Sequence, residues 1–400
     1  MTQPAPSELD QKTLAEMHRK RARPLCPCQH KGVEMYIAKV GDKYIVKRMP
    51  GSGSLHSPEC DSYEPPPELS GLGEVLGSAI KENTEEGVVE LRFDFSLSRI
   101  AGRAAPQAGS GEDTESVRTD GAKLTLRSTL HYLWDQAGFN RWLPAMEGKR
   151  NWSVVRRHLI RAAESKIAKG APLSDQLYIP ETFILERKKE IQQNRHDQLK
   201  WIRGGNKMMI VIGEVKGVEE ARFGHRLVLK HCADFQFILN DDIFKRMDTR
   251  YKTEIDLWRS FDDIHLVAVA TFSLNLANHP VIEELSLMTV TSNWIPFENI
   301  HDKAIIDLLV ENRRRFFKGL RYNLPASKPL AAAVLSDTLP SPTALYAIPL
   351  TPSEGYLMEL EDLIAESRLS SWQWDTNEYI PPPLPPVGAP EQAPGATLFL

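Results

Sequence analysis

The sequence lacks several features that would narrow its function at once. Its most apolar windows, 208–212 and 266–272, are far shorter than the ~20 residues needed to cross a bilayer, and we interpret them as buried strands. The first 23 residues are rich in Lys and Arg and have no apolar core, so we expect no secretory signal. We find no P-loop, dinucleotide fingerprint, His-Glu-x-x-His or Ser-centred elbow. These absences favour a cytoplasmic protein without membrane contact, and they favour binding over catalysis.

Cysteine is also scarce, with four in 400 residues. Cys26, Cys28 and Cys60 are clustered in the N-terminal region, whereas Cys232 lies in a strand-rich segment where we expect it to be core. The number and clustering of the cysteines therefore argue against a disulfide framework, and a reduced compartment with a metal site fits better.

Charge is close to balanced overall but not locally. The formal net charge of -4 argues against a chain that binds polyanions over its whole surface. Residues 17–48, however, contain nine Lys and Arg against two acids. Because charge acts within a Debye length of ~8–10 Å at physiological salt, this local excess can still attract an anionic partner.

Hydrophobic periodicity predicts an α+β protein. A basic helix at 9–21 and a β-hairpin at 34–40 and 43–48 open the chain. Two apolar helical stripes begin at Leu126 and Trp152, and a charged helix is predicted at 181–201. Further strands are predicted at 88–97, 208–215, 226–230, 235–239, 265–272, 285–290 and 344–348. Helices are predicted at 241–258 and 301–317, and a last one is opened by a capping box at Thr351-Pro352-Ser353-Glu354.

These elements suggest five segments. Four are ordered or partly ordered, and the last is a disordered proline-rich tail in which the chain from 381 should be extended and unpacked. In order they are a basic helix with a zinc-stabilised hairpin module (1–67), a strand with a disordered linker (68–120, the linker being 101–119), a helical middle (121–205), a mixed-sheet α+β domain (206–370) and the tail (371–400).

Four metal-ligating side chains fall into two close pairs. The pattern is Cys26-x-Cys28, then 27 residues, then His56-x3-Cys60. Three thiolates and one imidazole suit a tetrahedral zinc site, and four protein ligands leave no position for water, so the ion should be structural. His30 is a competing ligand because Cys-x-Cys-x-His also brings three donors together. The alternative is three reduced thiols and a solvent-exposed histidine.

Several short blocks resemble one bacterial family. They are Leu25-Cys26-Pro27-Cys28, Lys47-Arg48-Met49-Pro50, His56-Ser57-Pro58-Glu59-Cys60, Tyr63-Glu64-Pro65, Gly213-Glu214-Val215-Lys216, Asn293-Trp294-Ile295-Pro296 and the run from Arg314 to Asn323. On these blocks, residues 20–350 resemble the domain-of-unknown-function family eleven-seventy-three. The resemblance implies three N-terminal cysteines and a setting in mobile-DNA biology, on plasmids and integrative elements, but no activity. The linker around Gly109 and the proline-rich tail depart from it.

Two basic segments are candidate nucleic-acid surfaces. Residues 313–322 carry five cations, no acids and three aromatics, which suits single-stranded nucleic acid because cations track phosphates and exposed rings stack on bases. The candidate cations are Arg313, Arg314, Arg315, Lys318 and Arg321. The alternative is a solvated helix end with Phe316 in the core.

The second basic segment, 149–169, carries seven Lys and Arg against one acid. Arg150, Arg157 and Arg161 can share one helical face, and two helices joined through Gly138 and Gly148 could form a helix-turn-helix variant. The connection is long for that motif, so a solvated helix remains the alternative.

One enzyme hypothesis is left. Glu214-x-Lys216 at the end of an apolar strand is half of a Mg²⁺-dependent nuclease constellation. The missing half is a metal-binding aspartate on a neighbouring strand, and Asp234 and Asp241 lie downstream, in the wrong order. The leading hypothesis is therefore a metal-binding protein that acts on nucleic acid or a nucleoprotein complex. A Mg²⁺-dependent nuclease and a protein scaffold tethered by its tail are the alternatives.

Overall fold

The computed structural model describes residues 9–99, 122–203, 205–222 and 224–388. Within them the α-helices are α1 (Gln11–Arg19), α2 (Leu72–Val75), α3 (Leu126–Gln136), α4 (Trp152–Ala163), α5 (Lys188–Gln198), α6 (Asp241–Arg250), α7 (Lys252–Ser260), α8 (Ile300–Glu311) and α9 (Glu354–Ser367). No helix in this part of the chain combines the length and the apolar character needed to cross a bilayer.

The strands form four sheets. In chain order they are β1 (Leu25–Cys26), β2 (Val33–Val40), β3 (Lys43–Arg48), β4 (Ile80–Asn83), β5 (Val88–Leu91), β6 (Arg141–Trp142), β7 (Lys166–Ala168), β8 (Ala171–Pro172), β9 (Leu177–Tyr178), β10 (Met209–Glu220), β11 (His225–Leu229), β12 (Phe237–Leu239), β13 (Ile264–Leu274), β14 (Pro280–Thr291), β15 (Pro296–Phe297), β16 (Phe316–Lys318), β17 (Ala333–Leu335), β18 (Thr343–Ile348) and β19 (Ser370–Asp375). The sheet orders are β1-β2-β3, β4-β5-β7-β8, β19-β18-β17-β16-β6, and a larger sheet containing β9 to β15.

The N-terminal module is a short helix packed on a three-stranded sheet. Asp10 caps α1 by accepting a hydrogen bond from the Thr13 backbone amide. β2 and β3 form the predicted hairpin, with Val40 opposite Lys43 across a two-residue turn. Gly41 has φ +58°, a left-handed conformation that a glycine adopts without strain. The hairpin prediction is confirmed.

Five strands of the large sheet close into a ring. β10, β13 and β14 are antiparallel neighbours, β12 adds in parallel to β14, and β11 pairs with both β12 and β10. The predicted strands at 208–215, 226–230, 235–239, 265–272 and 285–290 all fall within this ring. Side chains from the ring and from α6 and α7 share one apolar core. The helix predicted at 241–258 is divided at Tyr251.

A second core packs α3 and α4 on the other face of β10, β13 and β14. It draws on residues from 75 to 322 and includes both predicted apolar stripes, represented by Leu130 and Leu159. The predicted segment boundaries stay predictions. The predicted linker at 101–119 lies outside the described residues.

Three helix predictions need correction. The helix predicted at 181–201 has its α-helical part only from Lys188, after a segment that contains β-branched Thr182 and Ile184. The helix predicted at 301–317 ends at Glu311, because Arg313 takes a left-handed backbone and the chain then pairs as β16. The cap of α9 is Ser353, whose hydroxyl accepts from the Tyr356 amide, rather than Thr351.

The prediction of a disordered tail over 371–400 is wrong for residues 371–388, and the stretch from 381 to 388 is not unpacked. β19 pairs in parallel with β18. Its Trp372 and Trp374 are two residues apart, so both side chains lie on the same face of the strand, and both are buried. The following proline-rich stretch lacks most N–H donors but still offers carbonyls. Trp372 Nε1 donates to the Pro383 carbonyl at 3.1 Å, and Arg314 Nη1 donates to that of Pro385 at 2.7 Å. Residues 371–388 therefore do not form a free tether.

Candidate metal centre

Three cysteines and one histidine of the N-terminal module meet at one point. Cys28 Sγ lies 3.3 Å from His56 Nδ1, and Cys60 Sγ lies 3.7 Å from the same nitrogen. Cys26 Sγ is 3.7 Å from Cys60 Sγ. All four donor atoms lie within 4.8 Å of one another. The side chains predicted from the spacing are thus brought together.

Three of the six separations between the donors match the edges of a metal-centred tetrahedron. With metal–sulfur bonds of about 2.3 Å and metal–nitrogen bonds of about 2.0–2.1 Å, tetrahedral angles place two sulfurs about 3.8 Å apart and a sulfur about 3.6 Å from the nitrogen. The contacts of 3.3–3.7 Å lie close to both values. Cys26, Cys28, His56 and Cys60 can therefore hold a metal ion with little movement.

Local backbone structure explains how the two pairs meet. Cys26 lies on β1, where it is opposite Val33 of β2. Between Cys28 and Val33 the chain reverses in a turn in which the Gly32 amide donates to the Gln29 carbonyl at 2.8 Å and Gly32 has φ +70°. His56 directly follows a single 3₁₀ turn, residues 53–55, and the Cys60 amide closes a further turn on the Ser57 carbonyl. Two tight turns thus present four donors to a common centre.

Burial shifts the pKa values of two of the donors, His56 and Cys26. Burial, with a smaller effect from the nearby Arg48 cation, holds the pKa of His56 below its usual value, which favours the neutral imidazole that binds metals. Burial raises the pKa of the Cys26 thiol to about 12. A metal ion must therefore displace protons when it binds here. His56 Nε2 is buried and has no hydrogen-bond partner in the described part of the chain.

Two other candidate ligands lie elsewhere. His30, the competing histidine, is exposed and does not belong to the four-residue group. Cys232 is fully buried, 3.4 Å from the Tyr178 hydroxyl and 3.2 Å from Arg195 Nη1, as expected for a core cysteine. Across 9–99, 122–203, 205–222 and 224–388, no other group of three or more His, Cys, Asp or Glu side chains is arranged to hold a metal ion.

The basic segment at 313–322 is mostly internal. Lys318 Nζ lies 3.2 Å from Asp302, and Arg321 Nε lies 2.7 Å from Glu298. Arg314 pairs with Asp337 at 2.8 Å, with both side chains buried. The three aromatic residues of the segment, Phe316, Phe317 and Tyr322, are buried as well. Of the expected cationic surface only Arg313 and Arg315 remain exposed, and no ring is free to stack on a base.

The second basic segment is also divided. Arg150 lies between the rings of Phe139 and Trp142, and its guanidinium donates to backbone carbonyls, including that of Arg141 at 2.5 Å. Arg157 and Arg161 stay exposed on α4. The predicted shared face of three arginines is therefore wrong for Arg150. The connection between α3 and α4 contains β6, which pairs with β16, so the tight turn of a helix-turn-helix is not formed.

The Glu214 carboxylate has partners that the sequence did not reveal. It is buried and accepts hydrogen bonds from Lys230 Nζ at 2.5 Å and His265 Nδ1 at 2.6 Å. Lys216 is exposed, beside a β-bulge between Val215 and Gly217. Lys230 and His265 thus occupy the carboxylate, and among the described residues no acidic partner joins it to form a Mg²⁺ site. Sequence spacing could not show these partners, because they come from other strands.

Comparison with known proteins gives a family without an activity. The profile described as "Protein of unknown function (DUF1173)" matches residues 2–377. No curated protein and no solved structure matches the chain. The resemblance carried by the cysteine and tryptophan blocks is therefore confirmed, and it extends beyond 20–350 in both directions. The chain belongs to the DUF1173 family of proteins of unknown function.

Proposed function

We propose that this chain is a metal-binding protein whose four-residue centre holds one structural zinc ion. The observation that carries the proposal is the tetrahedral spacing of three sulfurs and one imidazole nitrogen. Thiolate and imidazole donors favour zinc over magnesium or calcium, which prefer oxygen. Bound zinc would supply a cross-link, because four protein donors complete its coordination and leave no position for a substrate.

The small size of the module supports a structural role. Among the described residues, the buried apolar cluster around the centre consists of Cys26, Val33 and Met35, with Val46 and two further cysteines packed against it. A core of this size contributes little free energy of folding. The free energy of metal binding is then largely free energy of folding for the segment that carries the ligands.

The test is metal analysis of matched cysteine variants of the full chain. Purified wild-type protein should contain about one zinc per chain, and Cys60→Ser should lose it. Cys232→Ser is the control, because Cys232 lies in a separate core and should not affect metal content. A wild-type protein that contains no metal, or a Cys60→Ser variant that retains all of it, would refute the proposal.

A second candidate function is binding of nucleic acid or a nucleoprotein complex through the same module. Support comes from the exposed cations that the module presents: Arg19, Lys20, Arg21, Arg23, Lys31, Lys39 and Lys43. Phosphate contacts release counterions, so binding would weaken steeply as salt rises. A setting in mobile-DNA biology stays an expectation from the family resemblance.

The experiment measures affinity for single-stranded DNA as a function of salt. Replacing Arg19, Arg21 and Arg23 by Ala should reduce the slope of log affinity against log salt by about 2, at ~0.7 per lost phosphate contact. The matched variant is Arg157→Ala with Arg161→Ala, which removes the exposed cations of α4 and should leave the slope unchanged. Binding that shows no salt dependence would rule out this function.

A further inference from the structure

A cavity of about 410 Å³ lies where the N-terminal module meets α3. The module contributes Lys47, Arg48 and Glu64 to its wall, and α3 contributes Tyr132 and Asp135. This volume is in the range of pockets that bind small molecules. The cavity is separate from the four metal donors, none of which lines it.

Most charged groups of the wall are paired within the protein. Arg48 forms a salt bridge with Glu64, and Arg141 Nη2 lies 3.2 Å from Asp61 Oδ1. Glu82 accepts the hydroxyl of Tyr36. The two ion pairs neutralise their own charges, so they do not determine the charge of a ligand.

Asp135 is the unbalanced acid. Its carboxylate accepts hydrogen bonds from the side-chain amides of Asn140 and, at 3.4 Å, Gln136, and it forms no salt bridge with a described cation. Two charged side chains act on it: Glu64, which repels it, and Arg48, which is already paired with Glu64. Burial, reinforced by Glu64, raises the pKa of Asp135 to about 7. The site would therefore gain from a cation.

Lys47 is the base of the wall that forms no ion pair among the described residues. It is half-buried, and no described carboxylate lies within salt-bridge distance of it. A second lysine, Lys166, is 5% exposed and lies 5.8 Å from the centroid of the Tyr132 ring. Burial, reinforced by the charge of Lys47, lowers the pKa of Lys166 to about 8. Glu82 is the acid that opposes this effect at both lysines, so two bases share one acid. This end of the cavity would gain from an anion.

We propose that the cavity binds a small zwitterion of the amino-acid type, with its cationic group at Asp135 and its carboxylate at Lys47. A ligand with one charge would leave the other wall residue without a partner in a partly desolvated site, where an unpaired charge is costly. A ligand with both charges satisfies both ends. The rings of Tyr132 and Phe317 line the space and suit an aliphatic middle.

Calorimetric titration of the full-length, metal-loaded protein tests this. The probes are 4-aminobutyrate and 6-aminohexanoate, each compared with the alkylamine and the carboxylate of the same length. At least one zwitterion should bind tenfold or more tightly than both of its singly charged analogues. Zwitterions that bind no better than those analogues, or not at all, would overturn the proposal.

Isosteric variants assign the two ends. Asp135→Asn and Lys47→Met should each weaken zwitterion binding at least tenfold, whereas Asp42→Asn and Lys39→Met, at exposed positions of the hairpin, should not change it. Metal content and circular dichroism check that each variant is folded. Unchanged affinity in a folded Asp135→Asn variant would also overturn the proposal. Loss of zinc from the wild-type protein would instead refute the metal assignment, so the two failures are distinguishable.

Discussion

The buried ion pair between Arg314 and Asp337 gives the most quantitative prediction. The two side chains are 4% and 6% exposed, and Arg314 donates from Nε at 3.1 Å and from Nη2 at 2.8 Å. The Asp337 carboxylate also accepts the Arg315 backbone amide at 2.7 Å. The pair therefore joins the end of α8, the loop after β17 and the proline-rich stretch at Pro385.

Removing both partners should cost less than the sum of the two single removals. Asp337→Ala leaves a buried guanidinium without its counter-ion, which typically reduces the free energy of unfolding by about 3–5 kcal/mol. The double variant Arg314→Met with Asp337→Leu avoids that unpaired charge. It still leaves two backbone groups without partners, which implies a loss of about 1–3 kcal/mol for each group. The two single variants should therefore be non-additive, with a coupling above about 1 kcal/mol.

Urea unfolding of the wild type, both single variants and the double variant measures this coupling. Arg315→Ala is the matched control, because Arg315 is the exposed neighbour in the same loop and should change stability by less than about 0.5 kcal/mol. A loss below about 1 kcal/mol in Asp337→Ala, or an equal loss in Arg315→Ala, would refute the reasoning. Arg314 would then again be a candidate for an exposed anion-binding side chain.

Three further predictions concern single positions. Because burial raises the Asp135 pKa from 3.8 to about 7, the carboxyl lowers stability increasingly as pH rises between those values. At pH 8 the free energy of unfolding of Asp135→Asn should therefore exceed that of wild type, by at most about 4 kcal/mol, and at pH 3.5 the two proteins should be equally stable. Urea unfolding at both pH values measures this, and no gain at pH 8 would contradict it. Gly71→Ala should lose about 1–3 kcal/mol in urea unfolding, because the added Cβ would lie 1.9 Å from the Arg321 carbonyl oxygen, whereas Gly217→Ala, with nothing within 4 Å, should be near neutral. Burial alone would raise the Glu214 pKa, but hydrogen bonds from His265 and Lys230 outweigh it and hold the pKa below its usual value. Glu214→Gln should thus be less stable than wild type at pH 7, with the difference shrinking as pH falls below 4.5; a pH-independent difference would argue against the pairing.

Local patterns in the sequence predicted local structure well. The hairpin at β2 and β3 follows from the alternation of apolar and polar residues on either side of Gly41-Asp42. The four side chains of the candidate metal centre come from two pairs whose members are two and four residues apart. The ring strands follow from apolar runs of strand length. In each case the interacting residues are close in sequence, or one face of an element is uniformly buried, so periodicity carries the information.

Long-range pairing could not be predicted. The sequence predicts an exposed basic segment at Arg314, Lys318 and Arg321 because their acidic partners lie 16 to 23 residues away in the chain. These partners are, in the same order, Asp337 in the loop after β17, Asp302 at the start of α8 and Glu298 just before α8. The charge of a segment gives no information about where its counter-ions lie in the fold. The prolines likewise predict an unpacked tail. In the structure, the tryptophans of β19 pair with β18, and the Pro385 carbonyl accepts a hydrogen bond from Arg314.

The cavity at Asp135 shows the same limitation for function. Its wall combines residues from the hairpin, from α3 and from β16, which lie far apart in the chain. Each of Lys47, Tyr132 and Asp135 is unremarkable in its own sequence context. Only the packing of the metal module against α3 places an unpaired base and an unpaired acid around one space.

X-ray absorption at the zinc edge of the purified full-length protein tests the central claim most directly. The account predicts about one zinc per chain, with three sulfurs at about 2.3 Å and one nitrogen at about 2.0–2.1 Å. Zinc surrounded only by oxygen and nitrogen, or protein that contains no metal, would contradict it.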